Sequence, residues 1–94
     1  MILSFGSRET AKIWQGERVR KISTEIQQAA RRKLRMLNNS QNLGGLKIPP
    51  SNRLEKLSGK LKDYYSIRII DQWRIIFIWE NNNALEVEII DYHK

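Results

Sequence analysis

The stretch from Tyr64 to Trp79, reading YYSIRIIDQWRIIFIW, constrains the fold of this chain more than any other. Its apolar residues are β-branched or aromatic, and the helix formers Ala, Leu and Lys are absent from it. The run breaks once, at Ile70, Asp71 and Gln72, which predicts a β-hairpin whose two strands build the sheet core. Folding back around Asp71 brings Arg68 and Arg74 nearly opposite one another, each flanked along its strand by apolar side chains. Like charges facing each other across a strand pair destabilise it. An anion lodged between or beside the two guanidinium groups removes that conflict, so the hairpin itself points to an anionic ligand.

The chain before the hairpin reads as one short strand and two helices. Met1 to Phe5 is an apolar run ended by Gly6, suited to a strand of the same sheet. Ser7 can cap a first helix whose apolar positions are Ala11, Ile13 and Trp14, with Gly16 ending the pattern. A second helix starts at Ser23 or Thr24 and places Ile22, Ile26, Ala29, Ala30, Lys33, Leu34 and Leu37 at helical spacing, Met36 widening the stripe. Its other face carries Arg31, Arg32 and Arg35, either a solvated basic face or a contact surface, and Asn38, Asn39 and Ser40 end it.

Asn39 to Asn52 is rich in turn residues, with Gly44, Gly45, Pro49 and Pro50, while Leu43, Leu46 and Ile48 predict that it packs on the domain. Arg53 to Leu57 then reads as a short strand and Ser58 to Asp63 as a polar turn. After the hairpin, Asn81 to Asn83 form a turn, and Leu85, Val87 and Ile89 alternate with Glu86 and Glu88 in a last strand ending at Asp91, Tyr92, His93 and Lys94. The order predicts a single α+β domain, residues 1–94: a mostly antiparallel twisted sheet of four to five strands with the two helices on one face. The other face is left for a ligand.

Charge narrows the ligand. Seventeen basic residues stand against ten acidic ones, a formal net charge of +7 on 94 residues. Such a balance favours polyanionic partners, nucleic acid first, although it also serves solubility or an acidic protein partner. Cysteine is absent, which excludes disulfides and thiolate catalysis and suits a reducing cytoplasm. Neither a membrane-length apolar run nor a secretory leader is visible, so no membrane partner is expected.

Phosphate-binding loops, dinucleotide fingerprints and nucleophile elbows are missing, and one histidine with scattered carboxylates makes no metal-ligand set, so no cofactor or metal is expected. Arg53 or Lys56, Arg68, Arg74, Tyr92 and His93 can converge on the open sheet face. Metal-free RNA cleavage needs such a set: cations for the phosphorane, a group to take the 2′-hydroxyl proton and one to protonate the leaving 5′-oxygen. His93 has the right titration range for proton transfer, though a histidine one residue from a terminus is also a common surface residue. Tyr92 can stack on a base or orient the phosphate.

Three ordered segments, PPSNRLEKLSG (Pro49 to Gly59), SIRIIDQWRIIF (Ser66 to Phe77) and VEIIDYH (Val87 to His93), resemble the HigB-type toxins of the RelE/ParE superfamily, closest to the GraT-like branch. The likeness extends to MILSF at the start and ARRKLRMLNNS at the end of the second helix. It implies a ribosome-dependent mRNA endonuclease that cuts translated messages in the ribosomal A site. It also implies a cognate HigA-type antitoxin with a helix-turn-helix domain, through which alone the toxin would reach operator DNA. By the same resemblance Arg74, the arginine of DQWR, stabilises the scissile phosphate, Arg68 assists it, and Tyr92 and His93 belong to the site. Some relatives carry a second histidine where this chain has Glu55, leaving Glu55 as either the general base or a plain surface carboxylate. Lys56 stands between phosphate contact and solvated charge, and Arg53, Lys60 and Lys62 are further candidates for RNA binding. The alternative is a non-enzymatic ParE-like inhibitor of DNA gyrase or an RNA-binding module.

Overall fold

In the computed structural model, which describes residues 1–92, the expected hairpin is the centre of a four-stranded antiparallel sheet in the order β1-β2-β3-β4. The strands are β1 (Glu55–Lys56), β2 (Tyr65–Ile70), β3 (Trp73–Glu80) and β4 (Asn83–Asp91), and the helices are α1 (Arg8–Trp14) and α2 (Thr24–Asn39). Asp71 adopts φ 52° in the β2–β3 turn, a left-handed geometry that aspartate tolerates better than most residues. Ile67, Ile69, Ile75, Phe77, Val87 and Ile89 on one sheet face pack with Ile13, Ala30, Leu34 and Leu37 of the helices. Each large side chain buried there contributes roughly 1.5–3 kcal/mol of transfer free energy. Among the described residues no helix is long and apolar enough to cross a membrane.

The last strand departs from simple alternation. Ile76 pairs with Glu88 but Ile78 pairs with Leu85, so Glu86 and Val87 of β4 stand opposite the single residue Phe77 of β3. Glu86 takes φ 51° in this bulge. The extra residue resets the pleat: Val87 and Ile89 are buried as expected, but upstream it is Ala84 that is buried, and Leu85 is only half-buried. The bulge also limits the N-terminal run. Met1 to Phe5 is not a continuous strand; it meets β4 at two separate parallel bridges, Ile2 with Ala84 and Phe5 with Val87. Between them the Ser4 hydroxyl accepts the Glu86 backbone N–H at 2.9 Å. Gly6 permits this approach, because a Cβ there would lie 2.9 Å from Glu88 Oε1 and 3.0 Å from the Glu86 carbonyl.

Ser7 caps α1, its hydroxyl accepting Thr10 N–H at 3.1 Å, and Ser23 rather than Thr24 caps α2. Arg31 is not part of a solvated face: its Nε donates to the Ile13 carbonyl at 3.0 Å and so satisfies the C-terminal end of α1. Lys33 reaches off the apolar stripe to donate to Asn52 Oδ1 at 2.6 Å, and burial, with Arg32 adding to it, pushes its pKa below the ordinary lysine value. Asn52 is fully buried; its amide donates to the Leu46 carbonyl at 3.0 Å within the loop and to Met36 Sδ at 3.1 Å, and this contact together with the Lys33 bond pins the loop to α2. That loop contains two 3₁₀ turns, Leu43–Lys47 and Pro50–Asn52. Leu43 and Leu46 pack as expected, whereas Ile48 is 75% exposed: the fixed chain direction at Pro49 and Pro50 carries it outward. The strand expected over Arg53 to Leu57 shrinks to two residues, because Arg53 closes the preceding turn at φ 48°.

Candidate active site

β2 and β3 pair Arg68 directly with Arg74. The adjacent pair, Ile67 with Ile75, belongs to the helix-packed core, so alternation puts both arginines on the helix-free face. Arg68 is half-buried, and its side chain makes no ion pair or hydrogen bond among the described residues. Arg74 is far more enclosed, its side chain 10% exposed.

Three neighbours hold the Arg74 guanidinium. Its Nη2 donates to the Arg53 carbonyl at 2.8 Å, and the left-handed turn at Arg53 is what carries that carbonyl inward. The same nitrogen lies 3.6 Å from Glu55 Oε1, an ion pair whose carboxylate side chain is half-exposed. Cζ lies 5.4 Å from the centroid of the Tyr92 ring, and Tyr92 is fixed by its backbone N–H donating to the Gln72 carbonyl at 2.8 Å. A guanidinium has five N–H donors. Here Nε is buried without a partner, as is the hydroxyl of Ser66, which stands on the same sheet face beside Ile76. The face therefore holds a nearly enclosed cation whose buried Nε is without a partner, beside the half-buried Arg68 whose side chain makes no ion pair among the described residues.

A groove of about 430 Å³ runs past Glu55 and Tyr92, two of the arginine's neighbours, and is lined also by Lys56, Ser58 and Lys60 among others. Lys56 donates to the Lys62 carbonyl and its ammonium lies 5.1 Å from the Tyr65 ring centroid, so it is positioned by the turn. Of the residues singled out from sequence, Glu55, Arg68, Arg74 and Tyr92 come together around the guanidinium, and Lys56 and Lys60 line the groove. Arg53 joins through its carbonyl, and Lys62 through the carbonyl that accepts from Lys56. His93 lies outside the described residues. Sequence reasoning misses Ser66, whose available signal is that it is the only hydroxyl amino acid besides the two tyrosines in the hairpin stretch.

Fold and site define a class: a small basic α+β protein with a cross-strand guanidinium pair on the helix-free face of an antiparallel sheet. The chain belongs to the RelE-like toxins of type II toxin-antitoxin system HigB, the family that residues 4–93 match. It is 39% identical over 95 residues to Toxin HigB-1 of Vibrio cholerae serotype O1, covering 100% of this chain and 99% of that protein. An uncharacterized protein of Haemophilus influenzae is 40% identical over 69 residues, 73% of this chain and 68% of that protein. The fold is that of a chain in the heterotetrameric YoeB-YefM toxin-antitoxin complex from Staphylococcus aureus, at a TM-score of 0.61 and 20% identity, covering 100% of this chain and 99% of the other. The resemblance read from three sequence segments thus extends across the fold.

Proposed function

We propose that this toxin is a metal-independent, ribosome-dependent mRNA endonuclease that cuts translated messages in the A site and arrests growth. The observation that carries the reading is Arg74: a nearly enclosed guanidinium with an unpartnered Nε, paired across the strand with Arg68 and bordered by a carboxylate. In this mechanism the message's 2′-hydroxyl loses its proton to Glu55 and attacks the adjacent phosphorus. Arg74, with Arg68 beside it, offsets the charge that develops on the phosphorane oxygens. The 5′-oxygen leaves with a proton from His93, giving a 2′,3′-cyclic phosphate and a 5′-hydroxyl. Tyr92 stacks on a base or orients the phosphate, while Arg53, Lys56, Lys60 and Lys62 hold the message backbone. No cofactor takes part.

The net charge of +7 supports entry into a site walled by RNA phosphate, in the cytoplasm where translation occurs. The inhibitor in this proposal is a HigA-type helix-turn-helix antitoxin, through which alone the toxin reaches operator DNA. Primer extension on a reporter message with its start codon intact or destroyed tests the reading. Cuts within codons of the translated message alone are expected on induction of the toxin. An intact message accompanied by a DNA-damage response overturns it in favour of gyrase inhibition.

A further inference from the structure

Ser66 is fully buried on a sheet face that no helix covers, and its hydroxyl has no hydrogen-bond partner among the described residues. Strand register accounts for the burial. Ser66 pairs with Glu55 of β1 on one side and with Ile76 of β3 on the other, and Arg68, the next β2 residue on that face, pairs with Arg74. Arg74 is rooted in β3, yet its Nη2 ends at the Arg53 carbonyl and 3.6 Å from Glu55 Oε1, both on the β1 side. With β2 lying between β1 and β3, the arginine side chain crosses β2 between Ser66 and Arg68.

The crossing requires a small residue on β2, where a β-branched side chain like the isoleucines of the same strand would stand in the way. Alanine would meet that requirement without burying a hydroxyl, which is costly when the hydroxyl has no partner. A serine there is explained by a use for its oxygen. Arg74 offers one, because its Nε is the other buried side-chain atom left without a partner among the described residues. An N–H in need of an acceptor and a hydroxyl able to accept thus occupy neighbouring positions of one face. With Nε buried, a phosphate meets the guanidinium from its outer edge, at Nη1 and Nη2. Drawing Nη2 off the Arg53 carbonyl frees the group to turn, and an acceptor at Nε then fixes the plane of the fork against the phosphate.

We propose that Ser66 is a positioning residue for Arg74: its hydroxyl accepts the Arg74 Nε–H when a phosphate engages the outer nitrogens, and so sets the plane of the guanidinium. The proposal rests on the nuclease reading in taking that phosphate to be the scissile one; the bond itself forms with any phosphate at the site. Ser66 acts through Arg74 and touches no reacting atom.

The test joins a signal from the bond to the rate of cutting. The Nε–H proton resonance of Arg74, identified by its absence in Arg74→Lys, is followed by NMR as inorganic phosphate is added. It is expected to move downfield in wild type and to stay in place in Ser66→Ala, with thermal midpoints alike. On purified ribosomes carrying a translated message, Ser66→Ala is expected to lower kcat about 10- to 100-fold with KM near wild type, the cost of a misplaced transition-state group. In an Arg74→Lys background, where the Nε donor is missing, it is expected to have no further effect. A resonance that phosphate leaves unmoved in wild type, or moves equally in both proteins, overturns the proposal. So does Ser66→Ala cutting message at the wild-type rate, or losing the same factor in the Arg74→Lys background, which would give the hydroxyl a role apart from Arg74. A downfield shift lost in Ser66→Ala, where wild type cuts no message, leaves the positioning role standing and removes the nuclease reading. Normal cutting by wild type with equal shifts in the two proteins does the reverse.

Discussion

Replacing Arg74 by methionine separates the demands of folding from those of catalysis. The substitution removes the charge-assisted bond to the Arg53 carbonyl, about 1.5–3 kcal/mol. It also removes an ion pair to a half-exposed carboxylate, about 1 kcal/mol or less, and the Tyr92 ring contact, about 0.5–1 kcal/mol. Against these stands the release of an enclosed guanidinium whose Nε has no partner, about 1–3 kcal/mol, and of its repulsion with Arg68, about 0.5 kcal/mol. Methionine fills much of the same volume. The two sides nearly cancel, so urea titration is expected to show a change within about 1 kcal/mol. Cleavage of translated message is expected to fall about 10²–10³-fold, the loss typical of removing one transition-state donor. Arg74→Lys is expected to lie between, because an ammonium keeps the charge without the planar fork. A stability loss above about 3 kcal/mol would make Arg74 a structural residue, and cleavage within tenfold of wild type would refute its role at the phosphate.

Gln27 of α2 accepts the Val19 N–H and donates to the Val19 and Ile22 carbonyls, so Gln27→Leu strands three buried backbone groups and is expected to destabilise the fold by about 3 kcal/mol or more in urea titration. Gly6→Ala drives a Cβ against the Glu86 carbonyl as well as the Glu88 side chain, and a loss of about 1–3 kcal/mol is expected; the double variant with Glu88→Ala should recover only part of it, since the backbone clash persists. Glu88 is held above the ordinary carboxyl value of 4.5, chiefly by burial and then by Glu9 and Glu86. The folded state therefore binds its proton more tightly than the unfolded state does. Its contribution to stability is complete below about 4.5 and is lost as pH rises through the raised folded value. Glu88→Gln should stabilise the protein at neutral pH and flatten that part of the stability–pH profile; a steeper profile would contradict the assignment.

How legible this molecule is in its sequence varies with how far apart the interacting residues lie. The hairpin and the facing of Arg68 and Arg74 follow from a short apolar run with one break, because cross-strand register near a tight turn is local. The helix stripes follow from periodicity. The bulge at Glu86 was hidden because nothing in a glutamate announces a left-handed backbone, and it carried Leu85 out of the expected inward set. Gln27, Asn52 and Arg31 carry no sequence signal of their roles, yet Gln27 and Asn52 satisfy backbone groups of neighbouring loops and Arg31 the end of α1, roles that only the folded path of the chain creates. In the site, the arginine pair was visible from sequence. The carboxylate beside Arg74 was a candidate without a location until β1 paired with β2 and the Arg53 turn drew its carbonyl inward.

The central claim is that a metal-free constellation around Arg74 drives a 2′-hydroxyl into its own phosphate. Cleavage of a message held on purified ribosomes, with the product ends identified, tests it most directly. The expected products carry 2′,3′-cyclic phosphate and 5′-hydroxyl ends, and they are lost on a single 2′-deoxy substitution at the cut and with Arg74→Met. Products ending in 3′-hydroxyl and 5′-phosphate, or cutting that survives the 2′-deoxy substitution, would contradict it.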